Sequence, residues 1–530
     1  MKKWLKRVLG LTLAAGLLFS VGCGKKPDKD EQNNKGKTAI KLSYFIGEFG
    51  DDWLKNIAKE WNGTSEKYYI DVKSNLNLGD TIVADVKSGS AFDMFITEDC
   101  SFQRLFVNGA DYLEDLSSLL SEKPENGKTI ADKLNDKEKW LSVAGSGDKV
   151  YMLPYNISPC GLIFDYDRFA ENGWLVTDSD GNVSAGKDGI KGTYDDGQPT
   201  NMSEFDAMCK KIKSSGVDDV FLYMGANHPE YVNNVAYAYL AGVLGEDGYN
   251  SFYKHDSSGK EIELYDGTKT IVTIENGYKT WHMEGVKKMA EFVQDYLCNG
   301  KYVSEVTLSD KSLDVDASHT QFISVDDKAP AFIVEGNWFE NGSRSLIESN
   351  TRYGGKAYGE SDYRYMILPS STGDVNHMFS QTGGSMFVVK QNDADKSAAI
   401  KDFIKFLLKD ENLGKVTADT GMIWNYLYNI SESDKAKMTK FTKNTYDMVS
   451  DKQNVSIHSF YIDTAATPIY TYSSLGASGL MLCYELQYDI VSAFRAKGSA
   501  SKLMESIVSF NNEKAWSGYL SQARSYGFYK

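Results

Sequence analysis

Residues 39–97 alternate between two hydrophobic periods, and this alternation limits the possible folds more than any other feature of the chain. Three segments have the pattern of β-strands, and the two segments between them have apolar residues at helical spacing. In chain order they are Ala39–Gly47, Asp51–Trp61, Tyr68–Asn75, Asp80–Gly89 and Phe92–Thr97. This order predicts parallel βαβ units, and such sheets bind ligands beyond the carboxyl ends of their strands.

Acidic and aromatic residues follow two of these strands. Glu48, Phe49 and Trp53 come after the first strand, and Glu98 and Asp99 come after the third. Aromatic faces and carboxylates together suit a ligand with apolar ring faces and hydroxyl edges, so we predict that these residues contact one. Two alternatives stay open: Trp53 can be a core residue of its helix, and Asp99 can cap the next helix.

The first 22 residues have the layout of a secretory signal peptide. Lys2, Lys3, Lys6 and Arg7 precede an apolar run, Val8–Phe19, which is too short to span a bilayer. No second long apolar stretch occurs, so we expect no transmembrane helix in the mature chain.

Cys23 follows the small residue Gly22 and resembles the lipid-modified cysteine of a bacterial lipobox. If Cys23 carries lipid, including palmitate, two acyl chains would attach the protein stably to the membrane, whereas a single acyl chain would bind only marginally. Residues 24–38 are polar and lack aromatic residues, which is typical of a flexible tether. The alternative is an ordinary signal peptide with an incidental cysteine.

Size and charge exclude several classes of protein. A mature body of about 490 residues predicts two or more lobes, since single cores stop growing near ~250–300 residues. The net charge of −15 argues against nucleic acid and disfavours anionic ligands. The spacing of the other five cysteines fits neither a disulfide scaffold nor a zinc site. Aromatic residues reach 13%, which suggests planar ligand faces.

Four further segments resemble the family-1 extracellular solute-binding proteins of ABC importers, the maltodextrin-binding type. They are "KVYMLPYNISPCGLIFDYDRFAENG", "APAFIVEGNWF", "YRYMILPSSTG" and "TGGSMFVV". The resemblance implies an α/β fold of two discontinuous lobes, joined by hinge crossovers, with the ligand in the cleft between them. It gives the divisions 1–22 (signal peptide), 23–38 (anchor and tether), 39–154 (lobe 1), 155–329 (lobe 2), 330–390 (return to lobe 1) and 391–530 (C-terminal helical part of lobe 2).

The same resemblance assigns ligand-binding roles to residues of the later segments. It puts a stacking tryptophan at Trp338, a binding tyrosine at Tyr231 and crossover residues at Tyr155 and Asn156. His228, Gly384 and Trp424 complete the predicted set. His228 precedes a proline, so a plain loop role remains the alternative for it.

The segment Thr177–Pro199 is rich in aspartate and glycine and is the candidate metal site. Calcium needs several oxygen ligands on a tightly turning backbone. The predicted ligands are Asp178, Asp180, Asn182, Asp188, Asp195 and Asp196. The alternative is a solvated loop of Asx turns. A calcium ion bound by this loop would stabilise the fold and would not lie in the ligand cleft. We expect the protein to require no cofactor.

The predicted function is capture of a neutral carbohydrate, of oligosaccharide size, and its delivery to ABC permease subunits. The protein would be a monomeric, extracytoplasmic lipoprotein attached to the cell membrane by its anchor, and not an enzyme. Two alternatives stay open, a surface-anchored glycoside hydrolase and a carbohydrate adhesin. A hydrolase would use a pair of carboxylates, whose separation the sequence does not give.

Overall fold

The computed structural model describes residues 34–76, 78–97, 109–125, 127–143, 145–146, 149–373, 375–380, 384–459 and 490–525. Its first sheet contains the predicted βαβ units. Strand Thr38–Phe45 pairs in parallel with both Tyr68–Asn75 and Met94–Thr97, and the helices Asp52–Thr64 and Leu78–Lys87 connect them. The alternating pattern of residues 39–97 therefore correctly predicted parallel strands.

Two strands from distant parts of the chain complete this five-stranded sheet. Ser385–Val388 pairs antiparallel with Met94–Thr97 on one side and with Met152–Pro154 on the other. Phe95 and Phe387 stack across the first of these pairs, with ring centroids 5.0 Å apart. The stacking of these two rings stabilises the pairing of Ser385–Val388 with Met94–Thr97.

The second sheet has six strands and is mixed. Its central strand, Pro159–Asp165, pairs antiparallel with three other strands, among them Phe332–Gly336. The remaining strands are Phe221–Leu222, Tyr363–Met366, Asn376–Ser380 and Val455–Ser459. The chain passes from the first sheet to the second over residues 155–158.

The strand pairing and helix packing correct two predicted divisions of the chain, 330–390 and 391–530. Residues 330–390 do not simply return to the first lobe, since Phe332–Gly336 lies in register with the central strand of the second sheet. The chain re-enters the first sheet only at Ser385–Val388, and the helices Ala394–Leu407 and Asp410–Thr420 then pack on Asp52–Thr64. The predicted entry into the first lobe at residue 330 is thus wrong, and so is the placement of residues 391–420 in the second lobe. An apolar strand such as "AFIVEG" does not encode which sheet accepts it.

The helix Pro229–Lys254 spans much of the second lobe and reaches both the core and the lobe junction. Pro229 occupies its first turn, where the missing N–H costs nothing, and His255 ends it in a left-handed conformation with φ of 52°. Gly245, with φ of 66°, kinks it. Buried residues on this helix join the largest hydrophobic core.

The other helices and short strands surround these sheets. The helices are Gly109–Tyr112, Ile130–Lys133, Lys137–Val143, Tyr166–Glu171, Met202–Ser214, Glu284–Phe292, Glu305–Ser309, Val315–Phe322, Phe339–Gly342, Arg344–Asn350, Glu432–Lys435, Lys440–Ser450, Ile490–Lys497, Ala500–Phe510 and Glu513–Ser525. The short strands are Gly145–Ser146, Lys149–Val150, Asn156–Ile157, Glu261–Glu263, Lys269–Ile271 and Ile423–Trp424. Within the described ranges, no helix has both the length and the apolar character needed to cross a membrane.

Candidate ligand-binding site

Residues that follow strands of the two sheets meet at one junction. Glu48 follows the strand Thr38–Phe45, and the short helix Phe339–Gly342 follows Phe332–Gly336. Asn341 Nδ2 donates a hydrogen bond to the backbone oxygen of Glu48 at 2.7 Å. A methyl group on Gly342 would come within 2.1 Å of Glu48 Oε2, so the carboxylate lies directly against the helix.

Trp338 lies at this junction with its indole ring folded over Gly336. A Cβ atom at Gly336 would be 2.2 Å from the ring, so only glycine leaves room for it there. Tyr231 packs against the indole edge-on, with ring centroids 5.6 Å apart. Trp338 is 7% exposed, and Tyr231 borders all three hydrophobic clusters of the protein.

His228 extends the aromatic surface toward solvent. Its ring stacks on Tyr231 at a centroid distance of 5.2 Å, and its Nδ1 lies 3.1 Å from Glu230 Oε1. The hydrogen bond to Glu230 raises the pKa of His228 because the carboxylate stabilises the imidazolium. Since His228 immediately precedes the helix that carries Tyr231, the helix start places Tyr231 between His228 and Trp338.

A buried chain of hydrogen bonds supports the strand end behind Trp338. His319 Nε2 lies 3.0 Å from Glu335 Oε1, and Ser343 Oγ lies 2.8 Å from His319 Nδ1. The three side chains are at most 1% exposed. A serine hydroxyl enclosed in this way cannot reach a substrate, so the set holds the strand and helix in place. Sequence reasoning missed it, although a glutamate inside the apolar run "AFIVEG" was a usable signal.

Glu48 carries the exposed carboxylate of the junction. Its pKa is raised, mainly because the carboxyl group is partly desolvated against the second lobe. The charge of His319 opposes this increase, whereas the negative charges of Glu335 and Asp316 add to it. The junction thus presents a partly desolvated carboxyl group next to the helix that follows Trp338.

Three predicted aromatic contacts lie instead in the core of the first lobe. Trp53 stacks on Tyr155 at 6.0 Å, and Trp424 packs edge-on against both. Tyr155 and Trp424 are completely buried, and Trp424 Nε1 donates to the backbone oxygen of Leu413 at 3.1 Å. Because these rings already fill one another's faces, we do not carry them into the proposed site.

The remaining predicted residues are either buried or lie outside the described part of the chain. Phe49 is only 5% exposed. Asn156 is buried and donates from Nδ2 to Ser158 Oγ at 2.9 Å, and a Cβ at Gly384 would come within 2.1 Å of Asn156 Oδ1. Glu98 and Asp99, like the lipidation candidate Cys23, lie outside the described residues.

The aspartates of Thr177–Pro199 bind their own backbone. Asp178 Oδ1 accepts from the N–H groups of Asp180 and Asn182, at 3.0 and 2.9 Å. Asp195 Oδ2 accepts from two further N–H groups, and Asp196 Oδ2 from one. Within the described part of the chain, no three acidic groups of this loop converge as metal ligands would. Asx-type turns of this kind are the alternative given for the loop, and calcium binding by the six predicted ligands stays a prediction.

A separate cavity of 440 Å³ adjoins the crossing strand Ile423–Trp424. Polar residues from both lobes line it, including Lys133, Asn135, Asp410 and Lys452. Lys133 is already paired with Asp410, with 2.7 Å between Nζ and Oδ1. Acidic and aromatic residues also line the cavity, among them Glu125, Trp424 and Tyr428, so it is a second candidate ligand site.

Comparison with known proteins agrees with the two-lobed α/β architecture. The sequence profile of a family described as "Bacterial extracellular solute-binding protein" matches residues 70–443. A solved chitin oligosaccharide binding protein superimposes with a TM-score of 0.58 at 13% identity, covering 91% of this chain and 98% of that one. No curated protein gives a significant sequence match.

Two further solved structures are similar. Maltose-bound MalE3 of T. maritima has a TM-score of 0.57 at 14% identity, covering 91% of this chain and 100% of that one. The galacto-N-biose-/lacto-N-biose I-binding protein of the ABC transporter from Bifidobacterium longum has a TM-score of 0.54 at 15% identity, with coverages of 93% and 98%. At these identities the likeness shows the fold, which is the two-lobed architecture predicted from the sequence.

Proposed function

The chain belongs to the bacterial extracellular solute-binding proteins, and from this premise we propose that it captures a neutral carbohydrate between its lobes and delivers it to an ABC permease. The observation that carries the proposal is the contact of Glu48 with the short helix that follows Trp338. Glu48 comes after a strand of the first sheet, Trp338 after a strand of the second, and Asn341 and Gly342 lie against Glu48. Sugar rings need both an aromatic face and hydrogen-bond acceptors for their hydroxyl groups.

Charge and the structural neighbours support a sugar over other solutes. A net charge of −15 disfavours anionic ligands. Three similar structures are described by the sugars they bind: chitin oligosaccharide, maltose and lacto-N-biose. An oligosaccharide, running from Trp338 past Tyr231 and His228, is the ligand we infer.

Ligand entry requires the two lobes to separate. Trp338 is only 7% exposed, and the Asn341–Glu48 hydrogen bond spans the junction. Hinge motion about the crossing segments would break this contact and uncover the indole. The bound sugar would then replace the Asn341–Glu48 contact with its own hydroxyl groups.

A screen of mono- and oligosaccharides by thermal shift tests the proposal. A sugar that binds only the folded protein raises Tm by mass action, by an amount that grows with concentration above Kd. We expect at least one neutral oligosaccharide to raise Tm, and charged sugars to have no effect. Cleavage of that oligosaccharide over time would instead establish the alternative glycoside hydrolase, and binding without transport would favour the adhesin.

Attachment to the membrane through Cys23 is a further part of the proposal. Cys23→Ala removes the thiol to which the lipid would be attached, so the protein should move from the membrane fraction to the soluble fraction. The measurement is fractionation of cells that express each form, with Cys298→Ala as the matched control because Cys298 lies in the folded body. Equal membrane retention of Cys23→Ala and wild type would contradict a lipid anchor.

A further inference from the structure

Two of the six histidines in the chain lie on neighbouring strands of the second sheet. Strands Asn376–Ser380 and Val455–Ser459 run parallel, with His377 opposite Ser456 and Phe379 opposite His458. Residues that oppose each other, and residues two apart, point to the same face of a sheet. Both imidazoles therefore stand on one face, and the helix Pro229–Lys254 packs on the sheet beside them.

Three ligand atoms converge on that face. His377 Nδ1 is 2.9 Å from His458 Nε2, and His458 Nε2 is 3.8 Å from Glu246 Oε2. All three atoms lie within 4.8 Å of one another, and they are the one such group of three or more potential metal ligands among the described residues. Glu246 comes from the helix immediately after its kink at Gly245.

The surroundings hold these ligands in place. His458 packs against Tyr249 with ring centroids 4.1 Å apart, and both histidines are only 1% exposed. Ser456 Oγ lies 3.4 Å from Glu246 Oε2, and the Glu246 side chain is 50% exposed. The two nitrogen ligands are thus buried and preoriented, whereas the carboxylate faces water and leaves a path for an ion.

We propose that His377, His458 and Glu246 bind a zinc ion that links the kinked helix to the sheet. Two imidazole nitrogens and one carboxylate oxygen are typical zinc donors, and a water molecule on the exposed side completes a tetrahedron. Tetrahedral zinc with ligands at ~2.0–2.1 Å separates its ligand atoms by about 3.3 Å. The observed 2.9 and 3.8 Å lie on either side of that value, so small side-chain movements suffice. Calcium and magnesium prefer oxygen ligands only and do not fit this set.

Metal titration of the full folded chain tests this site without any sugar. The protein is treated with a chelator, dialysed and titrated with Zn²⁺ by calorimetry, and with Co²⁺ by visible absorption. We expect one ion per chain, a Co²⁺ absorption band typical of tetrahedral coordination, and a higher Tm with Zn²⁺ but not with Ca²⁺. Absence of Zn²⁺ binding and of the Co²⁺ band would overturn the proposal and leave a hydrogen-bonded histidine pair.

Two ligand variants and one control locate the ion. Glu246→Gln changes a half-exposed side chain, so it should fold normally and weaken Zn²⁺ binding at least tenfold. His458→Gln should abolish the Co²⁺ band. Glu291→Gln, an exposed glutamate on another helix of the same lobe, should bind as wild type does. If Glu246→Gln retains wild-type affinity and an unchanged band, Glu246 is not a ligand and the three-residue site is refuted, even if His458→Gln fails to fold.

Discussion

We expect Glu340→Gln to have a higher free energy of unfolding than wild type, and we expect this difference to grow as the pH rises from 5 to 8. Glu340 lies on the short helix beside Trp338 and is 2% exposed. Burial raises its pKa to about 7, against the opposing hydrogen bond from Thr439. The folded state therefore binds this proton more tightly than the unfolded state, whose carboxyl group titrates near 4.5.

The sign of the effect follows from that difference. Below pH 4.5 both states hold the proton and the folded state bears no penalty. Between pH 4.5 and about pH 7 the unfolded state releases this proton while the folded state keeps it, so the free energy of unfolding falls, and above that range it levels off. A pKa difference of about 2.5 corresponds to roughly 3 kcal/mol at pH 8, as an upper limit. Glutamine is neutral at every pH and can still accept the Thr439 hydrogen bond.

Urea unfolding of wild type and Glu340→Gln at pH 5 and at pH 8 measures this effect. The difference in unfolding free energy between the two proteins should grow by up to about 3 kcal/mol over this range. Glu348→Gln, which changes an exposed glutamate of the next helix, should follow wild type at both pH values. If the difference between Glu340→Gln and wild type is the same at pH 5 and pH 8, Glu340 does not titrate in this range.

Trp338→Ala is expected to weaken binding of the sugar found in the screen by roughly tenfold to a hundredfold. That range corresponds to ~1–3 kcal/mol, which is common for an aromatic residue at the centre of a binding site. The indole has a face over Gly336 and an edge against Tyr231, so its loss removes the stacking surface and loosens its neighbour. Trp338→Phe should lose less, since a smaller ring remains.

Calorimetric titration of the sugar into each variant measures the loss. Tyr353→Ala is the control, because Tyr353 is 77% exposed and lies outside the junction. Lys452→Ala tests the 440 Å³ cavity. If Lys452→Ala loses sugar binding and Trp338→Ala keeps it, the sugar binds in that cavity. Analysis of the sugar after incubation separates binding from hydrolysis. Cleavage products that disappear in Glu48→Gln would identify an enzyme.

The site illustrates which predictions local sequence supports. Of the predicted residues, His228 and Glu48 came from local sequence, and Trp338 and Tyr231 from the family resemblance. Tyr231 packs against both Trp338 and His228, and Glu48 contacts the helix after Trp338; binding of a sugar by these residues stays a prediction. Trp53, Tyr155 and Trp424 belong to the same residue types, yet they pack against one another, in the hydrophobic cluster that Trp338 also joins. Residue type alone does not distinguish a ring that faces a cleft from one that fills a core, because both bury apolar surface.

The sequence by itself determined the local elements and the first sheet. Hydrophobic period and chain order are local properties, and they were enough for the strands and helices of residues 39–97 and for their parallel pairing. The alternation of strands and helices, with chain length, also gave a two-lobed α/β fold once the family resemblance was added.

Only the tertiary structure decided which sheet each later strand joins and which polar groups meet. Phe332–Gly336 pairs with the second sheet, and Ser385–Val388 with the first, although both are equally apolar. His377 and His458 are 81 residues apart and become neighbours through the register of two strands. The hydrophobic pattern of one segment indicates which face of its strand is buried, but which distant strand it pairs with depends on contacts that form only in the folded chain.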